Sequence, residues 1–324
     1  MDVLVTGGAG YIGSNLVDRL LEKGYSVCAI DDLSTGNISN LEDALKKPNF
    51  HFINGSILDE GIIEPLIEKC RLIYHLAAAV GVKHVMDDPL KAIFTNVSGT
   101  EIVLRLAYKY WRKVLLASTS EIYGRCVDIP FDEDNSLRVL GSTKIDRWSY
   151  STSKAIDEHL VFAYSKKGLP VVIIRYFNSY GPRIDEKGYG TVVARFIKQA
   201  LTGDPITVHG DGKQTRCFTY IDDTVSGTIL AAETKGAEGD VYNIGSNHET
   251  SIYDLAKLIK DISGSNSEII FTSYESYYGE RFEDTMRRVP STKKAKDVLS
   301  FEAKVDLKTG LTKTIDWCRK NYKL

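Results

Sequence analysis

Residues 3–24 read VLVTGGAGYIGSNLVDRLLEKG, and this stretch decides the fold. A short apolar run, Val3–Thr6, enters a glycine-rich turn. An amphipathic helical pattern then runs from Ile12 to Lys23 and stops at Gly24. The succession is strand, turn and helix. Gly7, Gly10 and Gly13 stand at GxxGxxG spacing. Without side chains the turn can be tight and its backbone can approach a pyrophosphate, which then sits at the positive end of the helix. Eighteen residues after Gly13, the next apolar run, Val27–Ile30, ends in Asp31. A carboxylate there accepts hydrogen bonds from both ribose hydroxyls and repels a 2′-phosphate, which predicts NAD rather than NADP.

The same alternation continues through Phe50–Ile53, Leu72–Leu76, Val114–Ala117 and Val171–Arg175, with helical stretches such as Asn96–Tyr110 and Ser153–Lys166 between them. Strands separated by helices imply parallel βαβ units and a doubly wound α/β sheet. After Gly181-Pro182 the alternation loosens into a helix at Thr191–Leu201, a turn at His209–Gly212, a strand at Val241–Ile244 and a helix at Ile252–Ile262. The expected division is a dinucleotide-binding domain over 1–175 and a smaller α/β substrate lobe over 176–324. The chain is expected to return to the first domain around 214–249.

Composition narrows the function classes. A formal net charge of −2 over 324 residues, with 26% charged and 43% hydrophobic residues, gives no basic face for nucleic acid and no disordered tail. The five cysteines (Cys28, Cys70, Cys126, Cys217, Cys318) are scattered without a CxxC pair, which suits isolated thiols in a reducing compartment. No charged leader precedes Val3, and no apolar run approaches membrane-spanning length. The expectation is a cytoplasmic protein with neither membrane nor nucleic-acid partners.

The chemistry is carried by Tyr150-Ser-Thr-Ser-Lys154. On a helix, residues four apart share a face, so phenol and ammonium can converge on one ligand. A free phenol, with a pKa near ~10, is a poor base at neutral pH. A cation ~4 Å away at an effective dielectric of ~20 contributes on the order of 4 kcal/mol, against which desolvation works. Upstream, a strand runs directly into Ser118-Thr119-Ser120-Glu121-Ile122-Tyr123-Gly124. Hydroxyls at a strand's carboxyl end lie where open α/β sheets bind ligands.

With these residues in place, the chain resembles the extended short-chain dehydrogenases that act on nucleotide sugars. TGGAGYIG, HLAA (His75–Ala78), STSEIYG, YSTSK, RYFNSYGPR (Arg175–Arg183) and GDGKQTRCFTYIDD (Gly210–Asp223) occur in family order over essentially the whole length. The resemblance implies a Rossmann fold, bound NAD, a UDP-sugar substrate and reversible oxidation at carbon 4, with tyrosinate taking the hydroxyl proton. By position it implies that Thr119, Tyr150, Lys154, Ser120 and Glu121 are catalytic. It assigns cofactor contacts to Gly7, Gly10, Tyr11, Ile12, Gly13, Asp31, Asp32, Leu33, Ser34, Gly36, Ser56, Ile57, Leu76, Ala77, Ala78, Asn96 and Tyr176, besides Tyr150 and Lys154. Substrate contacts fall on Asn178, Val193, Val208, Arg216, Arg281 and Arg288. Ser56 stands where many members carry an aspartate for the adenine amino group, so that contact departs from the pattern.

The resemblance leaves three fates for the 4-keto sugar: reduction on the other face, loss of water across carbons 5 and 6, or, for a uronate, loss of carbon dioxide. Epimerisation needs only Thr119, Tyr150 and Lys154. Glu121 matches an acidic residue of dehydratases and decarboxylases, and Arg288 matches an arginine of UDP-glucuronate decarboxylases. GSTKIDRWSY (Gly141–Tyr150) and YYGERFEDTMRR (Tyr277–Arg288) also look most like decarboxylases. Ser120 stands where dTDP-glucose dehydratases have an aspartic acid, and Ala79-Val80-Gly81-Val82 reads more like epimerases. The expected activity is that of a UDP-glucuronate decarboxylase, with a UDP-hexose 4-epimerase second and a 4,6-dehydratase third. Two readings from other classes are a silent NAD-sensing regulator, against which the intact Thr–Tyr–Lys set argues, and a reductase of free ketones, against which the second lobe's motifs argue.

Other features are read as structural. His75 should be a packed histidine, and the remaining histidines show no metal-ligand spacing, so no metal is expected. Tyr274, Tyr277 and Tyr278 could line a sugar pocket or pack beneath the lobe. Lys293, Lys294 and Lys296 should form a solvated helix face. The helices around 96–110 and 153–166 carry extra apolar residues (Ile102, Val103, Leu106, Tyr110; Leu160, Phe162, Tyr164), which predicts a homodimer through a four-helix contact.

Overall fold

In the computed structural model, which describes residues 1–185, 191–275 and 283–322, seven parallel strands form the central sheet: β1 (Val3–Thr6), β2 (Val27–Asp31), β3 (Phe50–Asn54), β4 (Leu72–His75), β5 (Lys113–Thr119), β6 (Val171–Tyr176) and β7 (Asp240–Ile244). Their order across the sheet is β7-β6-β5-β4-β1-β2-β3. Alternate side chains serve opposite faces. Val3 and Val5 pack with Leu16 and Leu20 on one side, and Leu4 packs with Cys28, Ile30, Ile63 and Val103 on the other. Both faces are covered, which is why these strands read as continuous apolar runs.

From β1 the chain winds outward to β3, then crosses back to lay β4 on the other side of β1, with Val3 facing both Val27 and Leu72. The connections therefore diverge between β1 and β4, and a crevice opens beyond their carboxyl ends. Gly7 and Leu76–Ala78 follow β1 and β4 at that edge, and Thr119 and Tyr176 end β5 and β6 there.

Two helices start earlier than periodicity suggested. The first spans Pro89–Tyr110, with Asp88 capping it by accepting the Lys91 N–H at 3.0 Å and Pro89 in its first turn. The second spans Arg147–Ser165, which places Tyr150 and Lys154 on its first turns. The two pack side by side. Val103 and Leu106 are 0% and 1% exposed, so the apolar face assigned to them for a dimer is spent inside the chain. On these two helices the exposed large apolar residues include Leu90, Ile93, Phe94, Tyr108 and Ile156.

The second part of the chain adds Ile206–His209 paired with Ile269–Thr272, and a small sheet in which Thr215–Cys217 lies between Glu249–Ser251 and Arg287–Arg288. The register sets Arg216 beside Arg288. Lys294 is not a solvated residue: its ammonium reaches Asp240 and Asp134 and ties its helix to β7. Among the described residues no helix is long and apolar enough to cross a membrane.

Candidate active site

The glycine turn after β1 is built from backbone. Gly7 has φ +70°, and a Cβ there would lie 2.8 Å from the Ala77 nitrogen. A Cβ on Gly13 would overlap the Gly7 carbonyl. At the end of β2 the Asp31 carboxylate accepts the N–H of Ala9 at 3.0 Å and of Leu33 at 2.8 Å, so it braces this turn. Burial pushes its carboxyl up against the pull of these amides. Gly36 passes close enough that a Cβ would sit 2.8 Å from Asp31 Oδ1. Leu33 takes a left-handed backbone (φ 58°), and Asp32 accepts the Ser34 N–H at 3.0 Å.

This cradle fits a dinucleotide. The turn leaves room for backbone alone against a pyrophosphate, and a half-buried carboxylate closes it at the ribose position. Tyr11 begins the helix that follows the turn, with its hydroxyl 3.4 Å from Ser179 Oγ and Ile12 packed beside it. Ser56 accepts the Leu58 N–H at 3.2 Å, and Ile57 is buried beneath the 89–110 helix. Asn96 anchors the loop after Ala78 by accepting the Ala79 N–H at 2.7 Å, and Tyr176 bonds Thr228 at 2.7 Å.

Thr119 and Tyr150 meet: the Thr119 hydroxyl stands close enough to the Tyr150 phenol to favour its ionised form. Thr119 caps the short 3-10 turn Ser120–Tyr123 by accepting the Glu121 N–H, and Ser120 is buried inside that turn. Burial drives the Tyr150 phenol upward from its ordinary value, and the nearby carboxylates of Glu121 and Asp157 add to this. The Thr119 hydroxyl and Arg288 pull the other way. Burial thus outweighs the depression expected from a neighbouring cation. Lys154 donates to Asp157 at 2.8 Å, a partner that sequence reasoning did not find.

Beyond the tyrosine lies a group of buried arginines. Arg216 Nη2 is 2.9 Å and Arg147 Nη1 3.2 Å from Asp284 Oδ1, and Tyr274 donates to Asp284 Oδ2 at 3.0 Å. Burial would raise the Asp284 carboxyl, but Arg216, Arg147 and Arg288 outweigh it and hold it below its usual range. Arg288 Nη1 lies 3.6 Å from Glu121 Oε1. Burial brings the Arg288 guanidinium down to about 10, with Glu121 opposing and Arg216 and Arg147 assisting. Three guanidiniums therefore face two carboxylates.

Arg147 and Asp284 were missed by sequence reasoning. Both lie in the quoted segments, but neither stands at a spacing that signals a partner 137 positions away along the chain. Asn178 has a positive φ (31°) and a buried Oδ1 without a hydrogen-bond partner among the described residues, so it can receive a donor. Val193 and Val208 are 1% and 0% exposed; their side chains belong to the hydrophobic core. Arg281, Tyr277 and Tyr278 lie outside the described residues. Among the described residues no His, Cys, Asp and Glu cluster could hold a metal.

The family model for GDP-mannose 4,6-dehydratase matches residues 4–314. A UDP-N-acetyl-α-D-glucosaminuronate decarboxylase of Bacillus cytotoxicus is 42% identical, the match covering 98% of this chain and 97% of that one. UDP-glucuronic acid decarboxylase 1 of Xenopus tropicalis is 39% identical over 98% of this chain and 72% of its own. Among solved structures, UDP-glucuronic acid 4-epimerase from Bacillus cereus, in complex with UDP-glucuronic acid and NAD, is 32% identical with a TM-score of 0.89, covering 99% of this chain and 100% of that one.

Proposed function

Since this chain belongs to the GDP-mannose 4,6-dehydratase family, within the extended short-chain dehydrogenases, we propose that it is an NAD-dependent decarboxylase of a UDP-hexuronate. The observation that carries this reading is the Glu121–Arg288 pair, 3.6 Å apart, with Arg288 buried and Glu121 half-buried beside Thr119 and Tyr150. Burying ions costs several kcal/mol apiece, and oxidation at carbon 4 requires neither group. An arginine cluster with more cations than carboxylates also suits a substrate bearing a diphosphate and a carboxylate.

Tyr150, as phenolate, takes the proton of the 4-hydroxyl while Thr119 shares that oxygen. NAD, when bound, supplies the acceptor for the carbon-4 hydride. The resulting ketone is β to the carbon-6 carboxylate. Arg288, fixed by Glu121, holds that carboxylate; the C5–C6 bond breaks, carbon dioxide leaves, and the electron pair passes into the carbonyl. The oxygen that gains charge is the one bonded by Thr119 and the now protonated Tyr150, which lowers the barrier where charge develops. Carbon 5 then takes a proton from water, and return of the hydride to carbon 4, with the Tyr150 proton passing back to its oxygen, would close the cycle. Arg216, Asn178 and Arg147 would hold the nucleotide diphosphate. Assembly as a homodimer and a cytoplasmic location complete the reading.

The test is to give the enzyme UDP-glucuronate and UDP-N-acetylglucosaminuronate, and to follow carbon dioxide, the NADH band and the product NMR spectrum. Wild type should release carbon dioxide, whereas Glu121→Gln should stall with NADH accumulating. A specific rival is 4-epimerisation, favoured by the Ala79–Val82 segment and by the likeness to an epimerase that binds UDP-glucuronic acid. A galacto product that retains carbon 6, made equally well by Glu121→Gln, would replace the decarboxylase reading.

A further inference from the structure

We propose that Asp157 is a positioning residue of the catalytic centre: its buried carboxylate anchors the Lys154 ammonium and offsets the charge that Lys154 presents to Tyr150. The inference rests on Tyr150 being the base of the proposed reaction. Asp157 sits on the buried stripe of the 147–165 helix, where Ser153, Lys154, Ala155, Glu158 and Val161 also face inward. It is 0% exposed, and its Oδ2 accepts from Lys154 Nζ at 2.8 Å. A buried carboxylate costs several kcal/mol unless paired, so a residue whose task was packing alone would be apolar here. Its partner is the lysine of the YxxxK pair.

A hydrogen-bonded chain ends close to Asp157 on its other side. The Ala77 N–H, at the end of β4, donates to Thr6 Oγ1 at 3.1 Å; Thr6 Oγ1 lies 2.8 Å from His75 Nδ1, and His75 Nε2 lies 3.1 Å from Thr100 Oγ1. Burial pushes the Asp157 carboxyl up, while Lys154 and then Thr100, on the neighbouring helix, favour its charged form. His75 is neutral, because burial and Lys154 depress its pKa to about 3. The end of β4 is thereby connected through Thr6 and His75 to Thr100, which stands near Asp157.

The charged groups facing Tyr150 are Glu121 from the 120–123 turn, Arg288 from the small sheet and Asp157 from its own helix, with Lys154 bound to Asp157. Glu158 is the other carboxylate near Asp157, and it is engaged with Arg175 at 2.7 Å. Removing the Asp157 charge therefore has one sign. A carboxylate that opposes the phenolate is lost, and Lys154 is left uncompensated beside Tyr150. Both make the phenolate easier to form.

The experiment records kcat against pH for wild type, Asp157→Asn, Asp157→Ala and Asp157→Glu, with melting curves to establish folding. Beside it, the tyrosinate absorbance of each protein is titrated, using the same protein carrying Tyr150→Phe as the blank, so that the phenol is also read without turnover. In the folded neutral variants the acid limb and the Tyr150 titration should move down by on the order of one pH unit. The optimal rate should fall about tenfold as the lysine loses its anchor, and Asp157→Glu should keep the wild-type limb. A limb and titration that stay in place, or move up, in the folded neutral variants overturn the proposal. If the Tyr150→Phe blank is itself active, the reading of Tyr150 as the base has failed instead.

Discussion

At the dinucleotide end of the crevice the groups that line it are mostly main chain, with one carboxylate beside them. Gly7, Gly10 and Gly13 lie within seven residues, and Asp31 reaches back only as far as Ala9. At the sugar end they are side chains delivered by distant segments: Thr119, Arg147, Tyr150, Arg216, Asp284 and Arg288. A site made of backbone needs local geometry, so its sequence signature is short and contiguous. A site made of charged side chains needs only that several elements end at one place, and its members can come from anywhere in the chain. The first kind fixes a cofactor common to many enzymes, whereas the second is free to change chemistry.

The contrast breaks most sharply at Tyr150. Tyr150→Phe removes one oxygen and almost no volume, so the loss should fall on turnover alone, by about a thousandfold. NAD and UDP-sugar affinities by calorimetry should stay within about threefold, a change below ~0.7 kcal/mol. Retention of a tenth of wild-type turnover would remove Tyr150 from the reaction.

Arg216→Ala tests the side-chain end by itself. A charge-assisted hydrogen bond contributes about 1.5–3 kcal/mol, so UDP binding should weaken about ten- to a hundredfold with NAD affinity unchanged. Asp31→Asn is the mirror experiment at the backbone end. NAD should bind about tenfold more weakly and the preference over NADP should narrow, with UDP affinity unmoved. If both variants weakened both ligands, the two ends would not be independent.

How far the sequence could be read follows the same division. The seven-strand sheet, the glycine turn and the Tyr150–Lys154 helix were legible because each is governed by residues within about one turn or one strand of one another. The start of the 89–110 helix lies outside the apolar periodicity of 96–110, although Asp88-Pro89 is a capping signal. Asp157 lay in plain view three residues after Lys154, but nothing in its spacing separates a buried partner from a solvated face. Arg147 and Asp284 become neighbours only once the 141–150 segment closes against 283–288. Trp148 Nε1 there donates to Glu283 at 2.9 Å and Thr285 Oγ1 to the Gly124 carbonyl at 2.8 Å.

The smallest effect on catalysis is expected at the surface farthest in kind from both ends, the outer face of the paired helices. Leu90, Ile93 and Phe94 are 76%, 41% and 60% exposed, and they stand opposite the buried Ala92, Asn96 and Gly99. Ile156, 41% exposed, lies on the adjoining 147–165 helix. An apolar stripe over two neighbouring helices suits a twofold contact with a second copy, in which four helices meet. Phe94→Asp places a charge in the middle of that stripe, where pairing with a copy of itself doubles the penalty. The variant should sediment at the chain mass while wild type sediments at twice that mass, and its melting temperature should lose any dependence on protein concentration. Turnover per site should change by no more than about twofold, a difference below ~0.5 kcal/mol. The helix that carries Tyr150 and Lys154 is held from within its own chain by Asn96 on Ser153, Ser151 on the Glu121 carbonyl and Glu158 on Arg175. A wild-type protein that is already monomeric at micromolar concentration removes the dimer. A large loss of turnover in a folded Phe94→Asp monomer would show instead that the second copy, and not those internal bonds, sets the geometry of Tyr150.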